Sequence, residues 1–228
     1  MQNQAFAIAV DGPAGAGKST IARLVAGQLG FVYVDTGAMY RAIALYTLRR
    51  GIRPQDEGAV SAAVPEAKIT IRYEEGIQKV LLNGEDVSGQ IRTEEVGNTA
   101  SAISAYPAVR AHLLGLQRSL AETDNVIMDG RDIGTCVLPG AQAKIFLTAS
   151  PKIRAMRRYK ELKEKGEMCN LQEIEQDIIE RDQKDMSRPI APLRQAEDAV
   201  LIDGSDMGIE QVVSAIIETA KGKGLVVR

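Results

Sequence analysis

Residues Gly12-Pro13-Ala14-Gly15-Ala16-Gly17-Lys18-Ser19, with Thr20 next, spell the pattern G-x-x-x-x-G-K-[ST]. The pattern stands directly after an apolar run, Ala5 to Val10, and directly before a helical periodicity. Strand, glycine-rich loop and helix in that order make a cradle for phosphates. Glycines let the backbone wrap closely, successive N–H groups point inward, and the helix starting near Gly17 adds the positive end of its dipole. In such a cradle Lys18 reaches the β- and γ-phosphates of a nucleotide, and the Ser19 hydroxyl can coordinate Mg²⁺. A glycine-rich turn with an accidental lysine would not fill every fixed position in that context.

The rest of the chain has the pattern of an α/β fold of the P-loop NTPase type. Five apolar runs alternate with helical patterns: Ala5 to Val10, Phe31 to Val34, Val126 to Met128, Ala143 to Leu147 and Ala199 to Ile202. Such alternation predicts a five-stranded parallel sheet flanked by helices. Asp11, Asp35, Asp129 and Asp203 fall at the ends of these runs. Ligands of open α/β sheets sit beyond the carboxyl ends of the strands, so one crevice is expected to collect the four.

The segment from about Ile52 to Asp124 is too long for a single crossover. Ile69, Ile71 and Tyr73 alternate with polar residues, the period of a half-buried strand. Glu75-Gly76 and Asn83-Gly84 suit hairpin turns, because Gly and Asn tolerate positive φ. Thr93 is placed to cap one helix, and Pro107 to open another. The expected division is a core of residues 1–51 and 125–228 carrying a small antiparallel β/helical insert at 52–124.

Charge and cysteine content narrow the function. With 28 Lys+Arg against 30 Asp+Glu the net charge is -2, which argues against electrostatic capture of nucleic acid. Cys136 and Cys169 lie in unrelated contexts outside metal-ligand spacings, which suggests free thiols in a reducing compartment. The stretch Met1 to Val10 has no basic n-region or cleavage site, and no apolar run is long enough to cross a bilayer. The expectation is a cytoplasmic protein without a membrane partner. His112, in a predicted helix, reads as a boundary residue and not a ligand.

A phosphate loop identifies a nucleotide site but not a reaction. No N-K-x-D guanine-reading segment occurs, and the length leaves no room for the partner domains of a motor or transporter. A small-molecule kinase needs a second, basic pocket for its acceptor. Asp35-Thr36-Gly37-Ala38-Met39-Tyr40-Arg41 follows the second apolar run, and Gly130-Arg131-Asp132-Ile133-Gly134-Thr135 follows the third. Arg181, Asp185 and Arg188 are spaced i, i+4, i+7, on one face of a helix. Taken singly, that triplet reads equally well as an exposed helix with an internal ion pair, and Arg131-Asp132 as a polar turn. Three basic clusters beside one phosphate loop favour an acceptor pocket.

At these residues the chain resembles the bacterial cytidylate kinases. The matching stretches are DGPAGAGKST (from Asp11), DTGAMYRA (from Asp35), NGEDVSGQIRTEEV (from Asn83), SAISAYPAVR (from Ser101), GRDIGT (from Gly130), KIFLTAS (from Lys144) and RDQKDMSR (from Arg181). They run in order over essentially the whole chain, and GRDIGT with R-D-x-x-D-x-x-R is the most particular. The resemblance implies a core, a monophosphate-binding domain and a mobile lid at about 150–171. It also implies a monomer that transfers the γ-phosphoryl of ATP to CMP or dCMP. It makes Ser101, Arg110 and Asp132 the cytosine readers, and places Thr36, Tyr40, Arg41, Arg131 and Arg188 around the acceptor phosphate and base. Arg181 and Asp185 become ribose contacts, and Lys18, Arg131 and Arg188 the residues of the transfer itself. At Asp203-Gly204-Ser205 the chain departs mildly from the family, which usually carries two hydroxyl residues there.

The chemistry is consistent with that assignment. Cytosine offers acceptors at O2 and N3 and a donor at its 4-amino group, matching donors such as Arg110 and Ser101 and an acceptor such as Asp132. The acceptor phosphate has a second pKa near 6, so it is largely ionised at neutral pH and no general base is required. Asp129 and Asp132 are both candidates to hold a water on Mg²⁺. Arg154, Arg157 and Arg158, at i, i+3, i+4, could clamp the ATP phosphates from the lid, although Lys160, Lys163 and Lys165 nearby also suit a solvated basic helix. Open alternatives are a kinase for UMP, dTMP or a non-nucleotide such as shikimate, and a regulatory module that binds ATP without transferring phosphate.

Overall fold

The structure, a computed structural model, describes residues 5–226; the first four residues of the Met1 to Val10 stretch, and the last two of the chain, lie outside the described residues. The strands are β1 (Ala7–Asp11), β2 (Val32–Asp35), β3 (Ile69–Glu74), β4 (Ile77–Leu82), β5 (Glu85–Asp86), β6 (Val126–Gly130), β7 (Ala143–Thr148) and β8 (Val200–Asp203). The helices are α1 (Lys18–Leu29), α2 (Thr36–Arg49), α3 (Glu57–Ala63), α4 (Glu94–Ile103), α5 (Pro107–Ser119), α6 (Pro151–Glu164), α7 (Leu171–Ser187) and α8 (Ile209–Gly222). None of the described helices is long and apolar enough to cross a membrane.

The chain divides into two units, one made of the sequence up to Tyr33 and from Asp124 onward, the other of Val34–Thr123. A five-stranded sheet runs in the order β2, β6, β1, β7, β8, with β1 parallel to both its neighbours and β8 parallel to β7. All five strands coincide with the apolar runs of the sequence. The inner strands β1, β6 and β7 are buried on both faces, as a parallel sheet covered by helices requires, whereas the edge strand β8 leaves Val200 and Leu201 exposed. Ile8, Val10, Ile127, Ile145 and Leu147 meet Ile21, Ala22 and Val25 of α1 and Val212, Val213 and Ile216 of α8 in one core. Against this core packs Phe31, its ring 6.2 Å from that of Phe6.

The second unit holds a three-stranded antiparallel sheet, β3-β4-β5, and helices α2 to α5. The turn joining β3 to β4 has φ of 51° at Glu75 and 75° at Gly76, and the β4–β5 turn has 51° at Asn83 and 89° at Gly84. Positive φ at both central residues gives the turn whose twist matches paired strands. Thr93 accepts a hydrogen bond from the Val96 N–H and caps α4, and Pro107 is the first residue of α5. The unit begins at Val34, earlier than the insert expected from Ile52. α2 accounts for the difference: it buries Met39, Ala42 and Ile43 and packs on β4, α4 and α5.

Candidate active site

Strand register positions the phosphate loop. Val10 of β1 pairs with Asp129 of β6 and Asp11 with Gly130, so the loops that follow the two strands leave the sheet side by side. Gly12 then passes close to β7: a Cβ built there would lie 1.9 Å from the Leu147 carbonyl oxygen, at a φ of +148°. Only glycine fits.

Lys18 opens α1 and is 5% exposed. Its Nζ donates to the Pro13 carbonyl, 2.7 Å away, across the loop. Burial, and next the positive charge of Arg131, pull the Lys18 pKa down to about 7, against the opposing pull of Asp129, Asp11 and Asp185. The Ser19 hydroxyl donates to Asp129 Oδ2 at 2.9 Å, and the Tyr33 hydroxyl holds Oδ1 at the same distance. Asp129 is therefore the aspartate that faces Ser19. Asp132, also buried, lies beyond it at the start of the next turn.

Asp11 organises that turn. Its carboxylate accepts the N–H of Ile133 and of Gly134, both at 2.7 Å. Residues Ile133–Val137 form one π-helical turn, in which Val137 N–H donates to Asp132 O and Leu138 N–H to Ile133 O. Such wide turns recur at functional sites. A Cβ on Gly134 would stand 3.1 Å from Lys144 Cδ and 3.3 Å from Asp11 Oδ2, which gives the glycine of GRDIGT a packing reason.

The residues of this first unit that were expected around the acceptor centre on Asp185, 5% exposed. Arg131 Nε donates to its Oδ2 at 3.0 Å, and Arg188 Nη1 lies 3.9 Å from its Oδ1. The expected i, i+4, i+7 helical face holds only in part: α7 ends at Ser187, and Arg188 has φ −56°, ψ 133°. Pro189 explains the break, because the residue before a proline is pushed out of the helical region. Arg188 nevertheless turns back toward Asp185, and its Nη2 donates to Ala191 O. Arg181 is half-buried on α7.

The basic residues of α6 separate. Arg154 is buried and donates to Ala149 O, Ala14 O and both oxygens of Asp182. Arg157 donates to Gly204 O at 2.7 Å. Arg158 pairs with Glu161 at the surface, at 3.0 Å. At Gly204 a Cβ would meet Thr148 O at an ordinary 3.6 Å, so the departure from two hydroxyl residues there is not forced by space.

The second unit carries the other predicted residues. Asp35 caps α2 by accepting from Ala38 N–H, and the Gln78 side chain clasps both Asp35 N–H and Asp35 C=O, at 2.8 and 3.1 Å. The β hairpin thus holds the entry to α2, the helix of Thr36, Tyr40 and Arg41. Arg41 donates to Ile91 O, and the Arg110 guanidinium lies 5.9 Å from the centre of the Tyr40 ring and donates to Ser104 O. Ser101, on α4, accepts at its carbonyl from the Ser104 hydroxyl. Sequence reasoning missed Tyr33, Gln78 and Asp182. Asp182 did stand in the sequence as the second letter of R-D-x-x-D-x-x-R, one helical turn before Asp185, but the motif assigned it no role. Cys136 and Cys169 are not joined in a disulfide, and His112 Nε2 is 2.8 Å from Ala67 O.

A parallel sheet, a phosphate loop at the end of its central strand, and a serine–aspartate pair spanning the loop and the adjacent strand define a P-loop kinase of the α/β class. The family model for cytidylate kinase matches residues 8–222, and the chain belongs to that family. It is 49% identical over 211 residues to a cytidylate kinase of Caldicellulosiruptor bescii, covering 92% of this chain and 93% of the relative. To a cytidylate kinase of Syntrophotalea carbinolica it is 48% identical over 216 residues, covering 95% and 92%. Among solved structures, an uncharacterized protein from Eubacterium ventriosum has a TM-score of 0.51 at 9% identity, covering 95% of this chain and 98% of that one, a likeness of fold alone.

Proposed function

We propose that the protein transfers the γ-phosphoryl group of ATP to CMP or dCMP, giving ADP and CDP or dCDP. The observation that carries this reading is the proximity, within one unit, of two anion-binding arrangements. The phosphate loop with Lys18 is one, and Arg131 and Arg188 gathered on Asp185 are the other; Asp11, which leads into the loop, pairs in register with Gly130, which leads into Arg131. Two phosphates facing each other repel, and cations set around both offset that repulsion while holding the reacting atoms in line.

The ATP phosphates lie along the backbone of Gly12 to Thr20, with Lys18 on the β- and γ-phosphates, and Arg154, Arg157 and Arg158 serve the same side from a lid within about 150–171. Mg²⁺ fits the donor set. The hydroxyl of Ser19 is a hard oxygen ligand whose partner, Asp129, can hold one of the waters this ion keeps. Among the described residues no group of three or more His, Cys, Asp or Glu side chains could hold a metal alone, so substrate phosphates would complete the coordination. When bound, the ion neutralises charge developing on the transferred group.

On the acceptor side Thr36, Tyr40, Arg41, Arg131 and Arg188 take the monophosphate and base, Arg181 and Asp185 the ribose. Ser101 and Arg110, within a monophosphate-binding insert around 52–124, and Asp132 of the core are the readers of cytosine. Uracil would set a carbonyl oxygen against the Asp132 carboxylate. A site built to pair a polar group can reject the mismatched one by about 10⁴-fold or more, and by less where water relieves the clash. A screen of nucleoside monophosphates with ATP tests the reading. CMP and dCMP should be phosphorylated far faster than UMP, and Asp132→Ala should lose CMP turnover while ATP affinity stays. Efficient use of UMP with CMP ignored, or equal loss of both substrates in the variant, would refute it.

A further inference from the structure

Arg154 sits in the first turn of α6 with only 2% of its surface exposed. A guanidinium so placed is already committed. Nε donates to Ala149 O at 2.8 Å, Nη1 to Ala14 O at 2.9 Å, and the Nη pair to Asp182 at 3.2 and 2.5 Å. Ala14 belongs to the phosphate loop. The next residue, Gly15, has φ of +74°, and a Cβ there would rest 3.5 Å from Arg154 Cβ. The outer curve of the loop is thus seated on this one side chain.

Asp182 fixes the seat. A carboxylate that accepts from both terminal nitrogens sets the plane of the guanidinium, and here that plane aims Nη1 at Ala14 O. Asp182 lies on α7, one turn before Asp185, which gathers Arg131 and Arg188. One face of α7 therefore supports the donor-side loop through Asp182 and the acceptor-side arginines through Asp185.

We infer that Arg154 and Asp182 form a positioning pair that holds the phosphate loop in its nucleotide-binding shape, so that Arg154 serves ATP through the Ala14 carbonyl instead of by touching phosphate. The inference rests on ATP being the donor and sharpens the role of one lid arginine. Its alternative makes the opposite prediction. Were Arg154 a phosphate ligand held in reserve by Asp182, neutralising Asp182 would release a buried cation toward the nucleotide and tighten binding.

The test is a double-mutant cycle on the full chain: Arg154→Ala, Asp182→Asn and the two combined. Affinity for a non-hydrolysable ATP analogue with magnesium, affinity for CMP, and Tm are measured on each. Each single variant should weaken analogue binding about tenfold, and the double variant should be no weaker than either. CMP affinity should hold. Where a truncation fails to fold, Arg154→Lys keeps the charge but loses the two-pronged donor, Asp182→Glu keeps the charge but displaces the carboxylate by one methylene, and both should weaken the analogue in the same non-additive way. The inference is overturned if Asp182→Asn tightens or leaves unchanged analogue binding, if the two losses add, or if Tm falls while affinities stand. A wild-type protein that fails to make CDP from CMP would sink the proposed reaction, yet would leave this binding cycle intact as a separate question.

Discussion

Three aspartates stand at the end of a strand of the first unit or one residue before it, and each does something different. Asp203, after β8, accepts from the Ser205 N–H and hydroxyl and shapes a turn. Asp129 holds Ser19 and Tyr33. Asp11 clamps the backbone of Ile133 and Gly134, and burial pushes its carboxyl from an ordinary 3.8 up to about 6 despite those two hydrogen bonds. An acid whose folded pKa lies above its unfolded one favours the folded state most below about pH 4, and that contribution is lost as pH rises through 6. The Asn side chain does not titrate, so the stability difference between wild type and Asp11→Asn should shift against the wild type from pH 4 to pH 7, by ~3 kcal/mol at most. Urea unfolding at several pH values measures it. A difference that stays constant, or moves the other way, would contradict the assignment.

At the scale of elements, α7 and the segment after it carry the most consequence. Asp182 and Asp185 are fixed by the helix, whereas Arg188 gains its position because Pro189 stops the helix one residue earlier. Pro189→Ala lifts that restriction and allows α7 to run on through Arg188, which draws the guanidinium away from Asp185 and Ala191. The expected result is a KM for CMP raised about tenfold with ATP affinity unchanged, and a stability loss of about 1 kcal/mol or less from the freer unfolded chain. Steady-state kinetics with each substrate varied separates these effects, and an unchanged KM for CMP would show that the proline does not position Arg188. The sequence could not show this, because i, i+4, i+7 spacing implies a shared face only while the helix continues.

For the molecule as a whole, what was legible followed from local chemistry. The five apolar runs are the five strands of the parallel sheet, and Glu75-Gly76 and Asn83-Gly84 turn where their tolerance of positive φ allows. What was hidden depended on contacts distant in sequence. Arg154 and Asp182 are 28 positions apart, Ser19 and Asp129 110, and Asp11 reaches across 122 to Ile133. The grouping of α2 with the second unit is likewise a consequence of packing on β4, α4 and α5, which no periodicity within α2 records. The most direct measurement of the proposed reaction is the fate of a labelled γ-phosphate when ATP and CMP are supplied together with magnesium. The label should appear in the β-position of CDP, one for each ADP released. Label recovered as inorganic phosphate, with CMP left unchanged, would contradict it.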